Sequence, residues 1–185
     1  NWQSVASFDA TNAFSTREDD PEGAVRPFDR ERDGLVPSGG AALVALERED
    51  LARRRGATIL GRVAAYAFSS DGHNLAVPSG DGLRRAMAQC LELAHIAPDA
   101  VDHISAHATS TPVGDAVEAA AIHQVFGSAR PWVSSVKSMT GHEMWMAGAA
   151  QIIYAVLESQ GGFITSNRSF REQEPDAPPL RIAAE

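Results

Sequence analysis

The chain has 185 residues, 44% of them hydrophobic, which is enough for one ordinary domain with a core. Its net charge of -8 excludes the basic footprint of a nucleic-acid binder, and no apolar run reaches the roughly 18 residues of a membrane span. Cys90 is the one cysteine, so an internal disulfide is excluded and a reducing, cytoplasmic compartment is the simplest expectation.

The sequence opens on Asn1-Trp2-Gln3-Ser4, with neither a starting Met nor a basic-then-apolar signal, and reads as a piece of something longer. Residues 1–14 mix Trp2, Val5, Phe8 and Phe14 with small residues and fit a short helix or loop. From Ser15 to Gly34 charge is dense and Pro21, Gly23, Pro27 and Gly34 break the chain, which predicts a long loop. The run Ala41 to Leu46 reads as a buried strand or a small-residue helix, and Glu47 to Arg55 as an amphipathic turn closed by Gly56.

Thr58 to Phe68 alternates and is rich in β-formers, which predicts a strand. A loop to Ser79 leads into a helix from Gly80 to His95, with Leu83, Met87, Cys90, Leu91 and Ala94 on its apolar stripe. Cys90 therefore reads as core; the spacing sets no cation beside it, as a reactive thiol needs. Val101 to Ala106 predicts a short strand. Thr111 and Pro112 start a helix that Gly127 stops after Phe126. Trp132 to Val136 is another short strand, and a helix runs from Gly141 or His142 to about Ser159. Phe163 to Thr165 is extended and the tail is Pro-rich. Strands alternating with helices after Gly56 predict an α/β fold with a mostly parallel sheet, whose ligands bind at the carboxyl ends of the strands.

Two loops sit at such ends. One is His107-Ala108-Thr109-Ser110-Thr111-Pro112-Val113-Gly114-Asp115; the other runs from Lys137 to His142. Imidazole N–H groups on neighbouring strands can donate to one developing oxyanion, with Lys137 adding positive charge. Asp115 and Glu118 stand one turn apart at the start of the helix after His107, and a buried Lys–Glu pair would fix the protonation of the site. The plain alternative is a polar loop with satisfied core histidines. One hydroxyl of Thr109, Ser110 and Thr111 suffices as a cap, leaving the others for a ligand. His103, His107 and Glu118 match no familiar metal-ligand spacing. The arginines Arg53-Arg54-Arg55, Arg84 and Arg85 fit a solvated face or an acidic partner.

The two motifs resemble those of the β-ketoacyl-acyl-carrier-protein synthases, closest to the bacterial type I and type II enzymes. Phe28-Asp29, Arg32-Asp33-Gly34, Gly39-Gly40, Ser70-Asp71-Gly72 and Pro78-Ser79-Gly80 extend the resemblance over nearly the whole chain. It implies a thiolase-like fold, layered α-β-α-β-α and incomplete in this chain. Residues 1–55 would end the N-terminal half and residues 56–185 form most of the C-terminal half. It implies decarboxylative condensation of an acyl group with malonyl on an acyl carrier protein. His107 and His142 would assist decarboxylation and stabilise the enolate, Lys137 would act electrostatically and Glu118 would pair with it. Thr109 and Thr111 would contact the phosphopantetheine arm, and Asp115 would be structural.

The implied partners are the carrier protein, acyl and malonyl thioesters, and a second identical or related subunit. No cofactor, metal, nucleic acid or membrane span is implied. The family's nucleophilic cysteine would precede Asn1, and its Gly-Phe-Gly-Gly loop is not in the sequence. The alternatives are a non-catalytic chain-length-factor-like subunit, against which the intact histidines and lysine speak, and a thiolase branch, which Lys137 to His142 disfavours. Ala108 stands where the family has Gly, at a cost only if its φ is positive. Trp145 stands where the family has Gly, and its up to ~250 Å² of surface would fill an acyl pocket or a dimer interface and alter chain-length preference.

Overall fold

A computed structural model describes residues 2–74 and 77–184. Its helices are α1 (Trp2–Asp9), α2 (Glu49–Arg54), α3 (Asp81–Ala94), α4 (Pro112–Phe126), α5 (Lys137–Thr140) and α6 (Ala147–Gly161). Its strands are β1 (His103–Ser105), β2 (Trp132–Ser134) and β3 (Arg181–Ile182), with short 3-10 turns between elements.

The strands form one parallel sheet in the order β1-β2-β3, as the α/β pattern requires. His103 pairs with Trp132 and Ser105 with Ser134, while Trp132 pairs with Arg181 and Val133 with Ile182. The Arg181 guanidinium lies 3.7 Å over the Trp132 ring, a cation–π contact across that register. α4 covers the sheet with small and branched residues. Ala119, Ile122 and Phe126 pack with Ala106, Ala108, Val133 and Phe28, and Met87 and Leu91 of α3 close over them. Cys90 is half-buried on that helix, near the apolar stripe on which the sequence places it.

α3 and α4 lie where the sequence puts them. Pro112 takes the first turn of α4, where its missing N–H costs nothing, and the chain leaves the helix at Gly127. The capping expectation for Thr111 needs correcting. Its backbone holds the cap position, but its hydroxyl makes no cap bond and meets the Thr109 hydroxyl at 3.1 Å. Gly114 permits this, since a Cβ there would lie 2.4 Å from Thr111 Oγ1.

Four other expectations change. The last helix begins at Ala147, because Lys137–Thr140 forms its own helical turn and Gly141 then leaves the helix at φ 72°. The third strand is Arg181–Ile182, inside the Pro-rich tail, and Phe163 to Thr165 joins no ladder. Thr58 to Phe68 forms no strand, and Ala41 to Leu46 neither strand nor helix. A strand satisfies its amides only against a partner, and the described residues offer this segment none. Leu43, Leu46, Leu60, Val63, Tyr66 and Phe68 are consequently 61% to 84% exposed.

An arm of residues 24–37, called a loop by the sequence, runs along the carboxyl ends of the strands. Phe28 sits in the core, and the Asp29 carboxylate accepts the Arg171 N–H at 2.7 Å. Asn167 joins the layers, accepting from Ser135 N–H at 2.7 Å and donating to the Pro27 carbonyl at 3.2 Å. Among the described residues no helix is long and apolar enough to cross a membrane.

Candidate active site

The loop after β1 is tied down by two carboxylates of α4. Glu118 accepts the backbone N–H of His107 at 2.8 Å and of Ala108 at 2.7 Å, one on each oxygen. Asp115 accepts three N–H groups: Phe28 and Thr109 at 2.9 Å and Ser110 at 3.2 Å. These contacts hold Ser110 at φ 69°, where its hydroxyl accepts from Arg26 N–H at 3.0 Å. Arg32 donates to the Thr111 carbonyl at 3.2 Å and the Pro112 carbonyl at 2.6 Å, bolting the arm to the start of α4. Ala108 is not among the positive-φ residues and is buried in the core, so a methyl there carries no backbone penalty.

The loop after β2 is held as firmly. Ser135 donates its hydroxyl to the Ala108 carbonyl at 2.9 Å, joining the two loops. His142 pairs with the arm, its N–H donating to the Val36 carbonyl at 2.8 Å and its carbonyl accepting from Ser38 N–H at 2.9 Å. Gly141 allows that approach, because a Cβ there would lie 2.9 Å from the Val36 oxygen. Gln151 of α6 buttresses the end of β1, donating to the Ala106 carbonyl at 2.7 Å.

Within this frame His107 and His142 meet edge to face, their ring centroids 5.4 Å apart at 84°. The backbone N–H of Met144, itself at φ 56°, donates to His142 Nδ1 at 3.1 Å. In the neutral ring the proton therefore sits on Nε2, leaving one N–H donor beside His107. Lys137 is wholly buried, and its ammonium has no hydrogen-bond partner among the described residues. It is the single lysine of the sequence.

The charges follow from burial. His107 keeps an exposed edge, yet the protein around its base, helped by Lys137 and His142, pushes its pKa down to about 4. Burial and Lys137 lower that of His142 as well. Both rings are neutral donors near pH 7. Burial lowers the pKa of Lys137 while Glu118, Glu143 and Asp115 raise it. Burial pushes Glu118 up against the pull of its two amides and of Lys137, and pushes Asp115 up to about 7.

The structure thus brings His107, His142 and Lys137 together, with Glu118 behind His107. The contact expected between Lys137 and Glu118 is not a hydrogen bond: Glu118 is engaged by backbone amides, and the two charges act through space. Thr109 and Thr111 share a hydroxyl contact at the mouth of the loop, with Thr109 buried. His103 turns away, to the Ser134 hydroxyl at 2.8 Å and Glu158 at 3.6 Å, so it does not converge with His107 and Glu118 on a metal. Trp145 stands 81% exposed in this chain, on the turn Met144–Met146, which directs Met146 towards Gly40.

Sequence reasoning missed Ser135, Asn167, Gln151 and Glu143. Only Glu143 carried a signal, an acid directly after His142; it is buried, and one of its oxygens accepts from the Tyr154 hydroxyl at 3.3 Å.

Residues 60–171 match the family model described as beta-ketoacyl synthase, C-terminal domain. The chain is 40% identical, over all 185 residues, to 3-oxoacyl-[acyl-carrier-protein] synthase 1 of Escherichia coli K12, covering 45% of that protein. It therefore spans a little under half the length of the curated relatives it matches. A solved β-ketoacyl synthase from Burkholderia phymatum superposes with a TM-score of 0.92 at 32% identity, over 100% of this chain and 45% of that one. A type II polyketide ketosynthase solved with its acyl carrier protein and a hexaketide, AntDE:AntF, gives 0.86 at 31% identity, over 99% and 46%.

Proposed function

Because the chain belongs to the β-ketoacyl synthase family and has part of its thiolase-like fold, we propose that it supplies the decarboxylating, oxyanion-holding side of a carrier-protein-dependent condensing site. The malonyl carboxylate leaves as CO2, and the electron pair of the broken C–C bond stays behind as an enolate. His142 Nε2–H and the neutral His107 ring donate to the enolate oxygen. The enolate carbon then attacks the carbonyl of an acyl thioester; the new C–C bond forms and the thiolate leaves, giving a β-ketoacyl thioester.

Lys137 adds positive charge where negative charge develops, and Glu118 holds the His107 loop at the right height. Thr111, with Thr109 behind it, faces the phosphopantetheine arm of the carrier protein. We assign residues 1–55 to the end of a first half and 56–185 to most of a second, in a cytoplasmic dimer.

The observation that carries this reading is the edge-to-face histidine pair, with the His142 proton fixed on Nε2 by Met144. Losing one such donor costs about 10²- to 10³-fold in rate. In the full-length protein, His142→Ala should lower β-ketoacyl product formation from acyl and malonyl carrier proteins by about that factor. A parent protein that forms no product and releases no CO2 would leave the non-catalytic partner subunit as the reading.

A further inference from the structure

Lys137 is a buried ammonium without a hydrogen bond, and its obvious counter-charge is already occupied. Each Glu118 oxygen holds a backbone amide. Asp115 holds three more. The carboxylate with spare capacity is Glu143. It is 94% buried by its 6% exposure, follows His142 directly, and has one oxygen, Oε2, with no hydrogen-bond partner. Its other oxygen is steered by Tyr154 of α6. Neither atom has a hydrogen-bond partner among the described residues, so the two charges act across a gap; each is costly alone in a buried site, and opposite charges offset part of that cost.

Resting on the condensing reading above, we propose that Glu143 is a positioning residue that serves as a counter-charge of Lys137, with Tyr154 holding it in place. Glu118 is fixed by amides and sets the His107 loop. Glu143 keeps the ammonium charged while the malonyl carboxylate arrives and is lost as CO2. The direction of its influence agrees: burial lowers the pKa of Lys137, and Glu118, then Glu143, then Asp115 raise it. A charged Lys137 in turn keeps both histidines neutral.

The groups that face this ammonium are Glu118 and Asp115 from α4, Glu143 and His142 from the loop before α6, and His107 from the loop after β1. Tyr154 faces Glu143. Removing the Glu143 charge therefore leaves burial less opposed, and Lys137 should lose its proton at lower pH.

The test uses the full-length protein, Glu143→Gln, and Glu143→Asp, which keeps the charge. CO2 release from malonyl carrier protein is followed against pH, and Lys137 is followed by NMR of 13Cε-labelled lysine, assigned with Lys137→Arg. In Glu143→Gln both the alkaline limb of kcat/KM and the Lys137 titration should move down by about one pH unit or more. Glu143→Asp should restore most of the shift. A limb and a titration that match the parent in Glu143→Gln overturn the proposal, since a purely structural residue would change rate without moving either. If the parent releases no CO2 but the Lys137 titration moves, the condensing reading fails and the pairing stands. If Glu143→Gln does not fold, Glu143→Ser, which also removes the charge, takes its place: a lowered Lys137 titration supports the pairing, and one that matches the parent overturns it.

Discussion

The loops around His107 and His142 and the run between Gly39 and Phe68 are built on opposite terms. The first region is polar and closed: Asp115, Glu118, Arg32, Ser135 and Asn167 satisfy backbone groups on loops that form almost no regular structure. The second is open: on either side of the charged helix α2, Ala41 to Leu46 and Thr58 to Phe68 expose apolar residues with no ladder to join. Side chains a few turns away can satisfy a loop, whereas a strand's amides need another strand. The two histidine loops are therefore held by this chain's own residues, while the flanking extended stretches find no strand partner among the described residues.

That contrast can be broken first by the 185 residues alone. With so much apolar surface open, the isolated chain should show no cooperative thermal transition and should aggregate; a sharp, reversible melt would contradict the contrast. The next largest effect is at Asp115. In the full-length protein Asp115→Ala leaves three buried amides unpaired, at about 1–3 kcal/mol each, and should cost about 3–9 kcal/mol in denaturant unfolding. A loss within about 1 kcal/mol would mean that the loops are held by something else.

A smaller effect separates His107 by pH. Its folded pKa of about 4 lies below the ordinary 6.5, so the unfolded chain takes up the proton first as pH falls. The stability contributed by the neutral ring is complete above pH 6.5 and is lost as pH falls towards 4. The stability of the parent relative to His107→Gln should therefore fall over that window. A constant difference would show that the ring is not held neutral by its surroundings.

The sequence was most legible where structure is local. Pro112 and Gly127 bracket α4, and the apolar stripe of α3 is written in its spacing. His107, Lys137 and His142 were legible because each lies within a few residues of a strand end. Thr58 to Phe68 misled because its alternation states a preference that only distant pairing can realise. Two-residue β3 is too short to leave a pattern. The arm, Asn167 and Gln151 act through contacts between residues far apart in the chain, which spacing does not encode. Thr111 went to a different partner because Gly114 removed the obstacle.

The most direct test is CO2 release from malonyl carrier protein, without acyl donor, by the full-length protein and by His142→Ala. The histidine variant should lose about 10²- to 10³-fold relative to the parent. Equal rates in parent and His142→Ala would contradict the assignment of decarboxylation to the two histidine loops.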